Sequence, residues 1–150
     1  MRLFESRELF AELTAGTKKW DRTVEALDVA PTLEAGVAYS IGDSLTYRRD
    51  VAAAFATDQL VGRRRYHQVV AATGGDVAVE IAAKTDLTEA GPYDDLTDRQ
   101  PFDGAGVVTT VPSGGVLVVD IDEAARFLPN PASEAVVLHV TVEGATFHNK

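Results

Sequence analysis

Apolar and polar positions change their period once along this chain. Phe4, Leu9, Phe10 and Leu13 recur at helical spacing, and Gly16 supplies a stop. Thr17 is placed to cap a second helix, KKWDRTVEALD, in which Trp20, Val24 and Leu27 share a face. Pro31 closes this helical flank, residues 1–30. The period then becomes two. SLTYRRD, YHQVVAAT, DVAVEIAA, GVVTTV, GVLVVDID and EAVVLHVTVE are short and rich in Val and Thr. Gly42-Asp43, Gly74-Gly75, Pro112-Ser113-Gly114 and Pro129-Asn130-Pro131 punctuate them. The pattern predicts a mainly β chain: one domain over 1–150, with a jelly-roll or sandwich over 36–143 behind the N-terminal helical flank. The acid-rich stretch from Asp86 to Asp103 has no period and reads as a long surface loop.

Alternation assigns faces. Tyr66, Gln68 and Val70 oppose His67 and Val69. Val137, His139 and Thr141 oppose Val136, Leu138 and Val140. Glu80 lies opposite Val77, Val79 and Ile81, and Asp120 and Asp122 extend the face of Val116 and Val118. Polar groups thus interrupt apolar strands. Either a ligand cavity or ordinary solvated faces would produce this.

Composition narrows the function. Net charge is −9, which disfavours nucleic acid and anionic membrane as partners. MRLFESRELF lacks the apolar run of a secretory signal, and no stretch is long enough to span a membrane. The chain has no cysteine, so disulfides and thiolate metal sites are excluded and a cytoplasmic location is expected. Its three histidines, His67, His139 and His148, lack ligand spacing, and there is no G-x-S-x-G nucleophile motif. Glu80, Asp120 and Asp122 could offer carboxylates to a hard cation, without an EF-hand signature.

GVAYSIGDSLTYR, ATD, GRRRY, TDR, VVDIDEAARF and the ending HVTVEGATFHNK together resemble the YhcH/YjgK/YiaL family, especially its members that serve as small subunits of hetero-oligomeric β-galactosidases. The resemblance covers nearly the whole chain and implies a cupin-like jelly roll. Gly106, Pro112 and Gly114 also resemble the frame of the second cupin motif, whose glycines and proline would build a hairpin turn. Family members that hold a divalent metal carry histidine at the position of Arg63, glutamate and histidine at Gln68 and Val70, and histidine at Asp122. Valine cannot bind a metal, and arginine would repel one. The expectation is no metal and no other cofactor, with Arg63 pairing with Asp122 if it points inward.

Three functions follow from the resemblance. The chain could be an accessory subunit bound to a large catalytic β-galactosidase subunit that carries the glycosidase carboxylates. It could be a sugar anomerase or isomerase, with Glu80, Asp122 and Tyr66 as candidate proton-transfer groups. It could be a sugar-binding module with a degenerate metal site. The expected pocket is Arg63, Arg64, Tyr66, Gln68, Glu80, Asp122 and Arg126, with arginine orienting hydroxyls or an anionic substrate. Self-association stays open.

Overall fold

The computed structural model describes residues 1–142. Strand β1 (Arg2–Phe4) is followed by helices α1 (Arg7–Thr14) and α2 (Lys18–Val29). Then come β2 (Ala38–Ile41), β3 (Leu45–Val51), β4 (Leu60–Gly62), β5 (Tyr66–Gly74), β6 (Val77–Ala83) and β7 (Thr88–Glu89). The last strands are β8 (Gln100–Asp103), β9 (Val107–Val111), β10 (Val116–Val119), β11 (Glu123–Phe127) and β12 (Glu134–Thr141).

The strands form two sheets, ordered β1-β10-β5-β12-β3-β2 and β7-β8-β4-β11-β6-β9. Every strand pair is antiparallel. Four-strand blocks lie within them, β10-β5-β12-β3 and β4-β11-β6-β9. Two interleaved Greek keys produce this order, so the fold is a cupin-like jelly roll.

Alternation divides the interior. Val70, Val77, Val79, Leu117, Val119, Phe127 and Val137 fill the space between the sheets. The opposite face of the first sheet carries Leu45, Val69, Val116, Val118, Val136, Leu138 and Val140, and the helical flank covers it with Phe10, Trp20, Ala26 and Leu27. Phe10 lies edge-on to both Phe4 and Trp20.

The flank differs from the sequence expectation at its start. Phe4 belongs to β1, and α1 begins only after Ser6, whose Oγ accepts from the Leu9 amide at 3.1 Å. The rotated face buries Phe10 and leaves Leu13 65% exposed. Gly16 ends the helical turn at φ +94°, where a side chain would be strained.

The stretch Asp86–Asp103 is not a featureless loop. It contains β7 and β8, and β8 pairs with β4. The strand expected to run through Asp122 stops at Val119, and residues 121–122 form a turn into β11. Gly106 does not shape the hairpin before β10. It lies against β6, where a Cβ would meet the Ile81 carbonyl oxygen at 2.3 Å, and Gly114 makes the turn at φ +88°. Among the described residues no helix is long and apolar enough to cross a membrane.

Candidate functional site

The inward row of β5 reads Ala72, Val70, then Gln68. On β12 it reads Ala135, Val137, then His139, which sits in register with Gln68 and with Thr46 of β3. The interior therefore changes from apolar to polar at one level across three neighbouring strands. β3 adds Arg48, opposite Val137.

A half-open cavity of about 280 Å³ occupies this polar end. Arg48, Arg63, Arg99, Thr46, Gln68 and His139 supply its polar lining, with Phe55 and Val137 among the apolar groups. No carboxylate lines it among the described residues. The Arg48 guanidinium stacks 4.5 Å from the Phe55 ring centroid, and its Nη2 reaches Asp50 only at 3.9 Å. Buried Arg48 Nε and His139 Nε2 have no hydrogen-bond partner among the described residues. Burial lowers the Arg63 pKa to about 10, with repulsion from Arg99 acting in the same direction. Burial, then Arg63 and Arg99, push His139 down to about 3, so its imidazole is neutral at ordinary pH.

The preceding loop and the segment before β8 hold this edge together. Asp98 is buried at φ +54°. Its carboxylate accepts from the Arg64 amide at 2.9 Å, from the Arg65 amide at 3.2 Å and from the Tyr93 hydroxyl. Burial raises its pKa, but those hydrogen bonds outweigh it and the net shift is downward. Arg63 Nη1 donates to the carbonyls of Thr97 and Asp98 at 3.5 and 3.4 Å, while Lys84 Nζ donates to the Arg63 carbonyl at 2.6 Å. Arg64 turns outward over the Tyr93 ring, 4.0 Å from its centroid, and Arg65 reaches the Asp95 carbonyl. Of the arginine triplet, only Arg63 faces the cavity.

The expected pocket is thus partly assembled. Arg63 and Gln68 line the cavity, and Tyr66 joins them in a narrow crevice beside Asp120 and Glu123. Arg64 does not face it. Glu80 and Arg126 sit on the outer face of the second sheet, paired at 2.6 Å, with Glu80 also accepting from the Gly106 amide at 2.7 Å. The amide bond and Arg126 hold the Glu80 pKa below its ordinary value. Asp122 is exposed in its turn and makes no pair with Arg63, because the strand that would have aimed it inward ends three residues earlier. Glu80, Asp122 and Tyr66 therefore do not converge as an acid–base set.

The positions implied for a metal do not fit one. Val70 is buried in the apolar core, Asp122 is outside the cavity, and Gln68 shares the cavity with three guanidinium groups. Asp120, Asp122 and Glu123 cluster separately, where the Met1 amino nitrogen lies 2.8 Å from Glu123. Glu80 is absent from that cluster, so the Glu80, Asp120 and Asp122 set that the sequence left open is not assembled. His67 is not a free surface residue: it packs against Trp20, with ring centroids 5.5 Å apart, and burial followed by Lys19 lowers its pKa. His148 and the FHNK ending lie outside the described residues.

Residues missed as site members are Arg48, Arg99, Thr46 and His139. The alternation in AVVLHVTV had already put His139 on the face of Val137, which was the available signal. Arg99 had none, since it comes from the stretch read as a loop.

No family model matches the chain. Several solved structures are similar in outline. A Neisseria meningitidis protein shares 16% identity, covers 77% of this chain and 94% of its own, and has a TM-score of 0.40. A Bacteroides fragilis cupin protein shares 9%, with 79% and 86% covered and a TM-score of 0.46. The hydroquinone 1,2-dioxygenase of Sphingomonas sp. TTNP3, solved with 4-hydroxybenzoate, shares 16%, with 80% and 73% covered and a TM-score of 0.47.

Proposed function

We propose that this chain is a sugar-binding jelly roll whose interior cavity takes an anionic, monosaccharide-sized ligand without metal assistance. The observation that carries the reading is the cavity wall: three arginines and, among the described residues, no carboxylate, in a chain of net charge −9. Guanidinium groups pair with anionic oxygens and donate to hydroxyls. Gln68 and Thr46 can both donate and accept, which suits a polyhydroxylated ring. Phe55 offers an apolar face beside them. Binding is favoured over turnover because Glu80 and Asp122, the acids considered for proton transfer, lie outside the cavity.

The test is calorimetric titration with galactose and with galacturonate, which differ at C6 by a carboxylate. Measurable binding of the acid, weakened at least tenfold in Arg99→Gln, is expected. Equal affinity for both sugars, or binding of neither sugar nor any anionic derivative, would refute the anionic pocket.

The subunit reading draws on the resemblance alone. A tagged chain recovered from its native host together with a stoichiometric large glycosidase and β-galactosidase activity would support it, and recovery of the lone chain would remove it. The anomerase reading has the same source, and unaltered mutarotation of galactose and sialic acid would dispose of it.

A further inference from the structure

Charge and donor inventory specify the anion more closely than size does. Arg48, Arg63 and Arg99 bring three permanent cations to one cavity of about 280 Å³. Two acids offset part of this charge from outside the cavity, Asp98 acting on Arg63 and Asp50 lying 3.9 Å from Arg48. Asp98 directs its carboxylate to Tyr93 and the amides of Arg64 and Arg65, and Asp50 approaches Arg48 no closer than 3.9 Å while accepting from the Val51 amide at 2.8 Å. None of the three guanidinium groups meets a carboxylate inside the cavity among the described residues, so a ligand anion faces all three at once, and a dianion answers more of that charge than a monocarboxylate does.

The donor count agrees. Each guanidinium offers several N–H groups, and Gln68 and Thr46 add more, whereas acceptors are scarce. A carboxylate presents two oxygens to these donors, and a phosphoryl group presents three in a pyramidal array. Arg48 Nε and His139 Nε2, both buried and without a partner among the described residues, mark unmet hydrogen-bonding capacity at this wall.

We propose, building on the anionic-pocket reading, that the cavity takes a phosphomonoester of a monosaccharide, with Arg48, Arg63 and Arg99 around the phosphoryl group and Gln68 and Thr46 toward the ring. Binding is non-covalent. Phosphate esters lose their second proton near a pKa of about 6. Affinity therefore rises from pH 5 to pH 7.5 as the dianion forms. In the unliganded cavity His139 is neutral across that range, because burial, then Arg63 and Arg99, oppose its protonation, with Arg48 adding to them and Asp98 working the other way.

The experiment titrates the full chain with galactose 6-phosphate, galacturonate, galactose and inorganic phosphate, at pH 7.5 and again at pH 5. The sugar phosphate is expected to bind at least tenfold tighter than galacturonate at pH 7.5, and to lose most of that advantage at pH 5. Arg99→Gln and Arg48→Gln should each cost the sugar phosphate tenfold or more. Arg99 is exposed and its side chain makes no hydrogen bond or ion pair among the described residues, so its variant keeps the fold. Galacturonate binding as tightly as the phosphate would overturn this proposal and leave the anionic pocket standing. Inorganic phosphate matching the sugar phosphate would overturn the sugar component. Failure of all four ligands would overturn both readings.

Discussion

Asp98 shows how one side chain sets the geometry of another. It is the one non-glycine residue at positive φ among the described residues, a conformation that asparagine and aspartate tolerate best. Its carboxylate fixes the Arg64 and Arg65 amides, and this directs Arg63 into the cavity. Asp98→Asn keeps the backbone tolerance and removes the charge. It is expected to cost about 1–3 kcal/mol in denaturant unfolding and to weaken binding of anionic sugars. Because the pKa of Asp98 is depressed, its stabilisation is complete above the unfolded value of 3.8 and is lost as pH falls through the lower folded value. The variant should lack that acid-limb loss. His139 has the same sign by a different route. Its folded pKa of about 3 lies below the unfolded 6.5, so its contribution is complete above 6.5 and declines through the interval between the two. Wild-type stability should fall by up to about 1.4 kcal/mol per pH unit there, and His139→Gln should flatten the slope. Gln68 and Arg63 were legible from sequence as residues of one pocket, and both line the cavity. Glu80 was misread because alternation tells which residues share a face but not which face looks inward, and its partner Arg126 stands outside with it.

Elements with a strong period were legible, and elements held by tertiary contacts were not. β5, β6, β10 and β12 announce themselves by Val-rich runs. β4 and β8 are short, and β8 includes Pro101, so their pairing is visible only in the folded chain. The helical flank is the converse case: its existence was evident, but its register was not, because Ser6 rather than Phe4 sets the start. The flank covers one face of the first sheet, and Phe10 is fully buried there. Phe10→Ala is expected to cost about 3–5 kcal/mol, read by chemical unfolding, with ligand affinity of the remaining folded protein unchanged because the cavity opens on the other face of that sheet. An equal loss of affinity would mean that the flank and the cavity are coupled.

At the scale of the molecule, charge is distributed against the average. The chain is strongly acidic, yet among the described residues the charged side chains of its cavity wall are all arginines. Added salt is therefore expected to weaken anionic ligands while leaving any neutral sugar unaffected, because screening acts on the charged contacts alone. Titrations at low and high sodium chloride would check this, and equal weakening of galactose would contradict it. Composition showed the acidic total but could not show the local reversal, which needs residues from β3, the loop after β4, and the segment before β8 to meet. Two strands, β5 and β12, carry both the apolar and the polar half of the interior in series. Val70 and Val137 lie on the apolar side of that boundary, and Gln68 and His139 on the other. The consequence is modularity: substitutions on the polar side can redirect recognition while the valine layers continue to hold the sheets together. Such a chain is a scaffold on which selection, natural or in the laboratory, can diversify what is held without first having to rebuild what holds it.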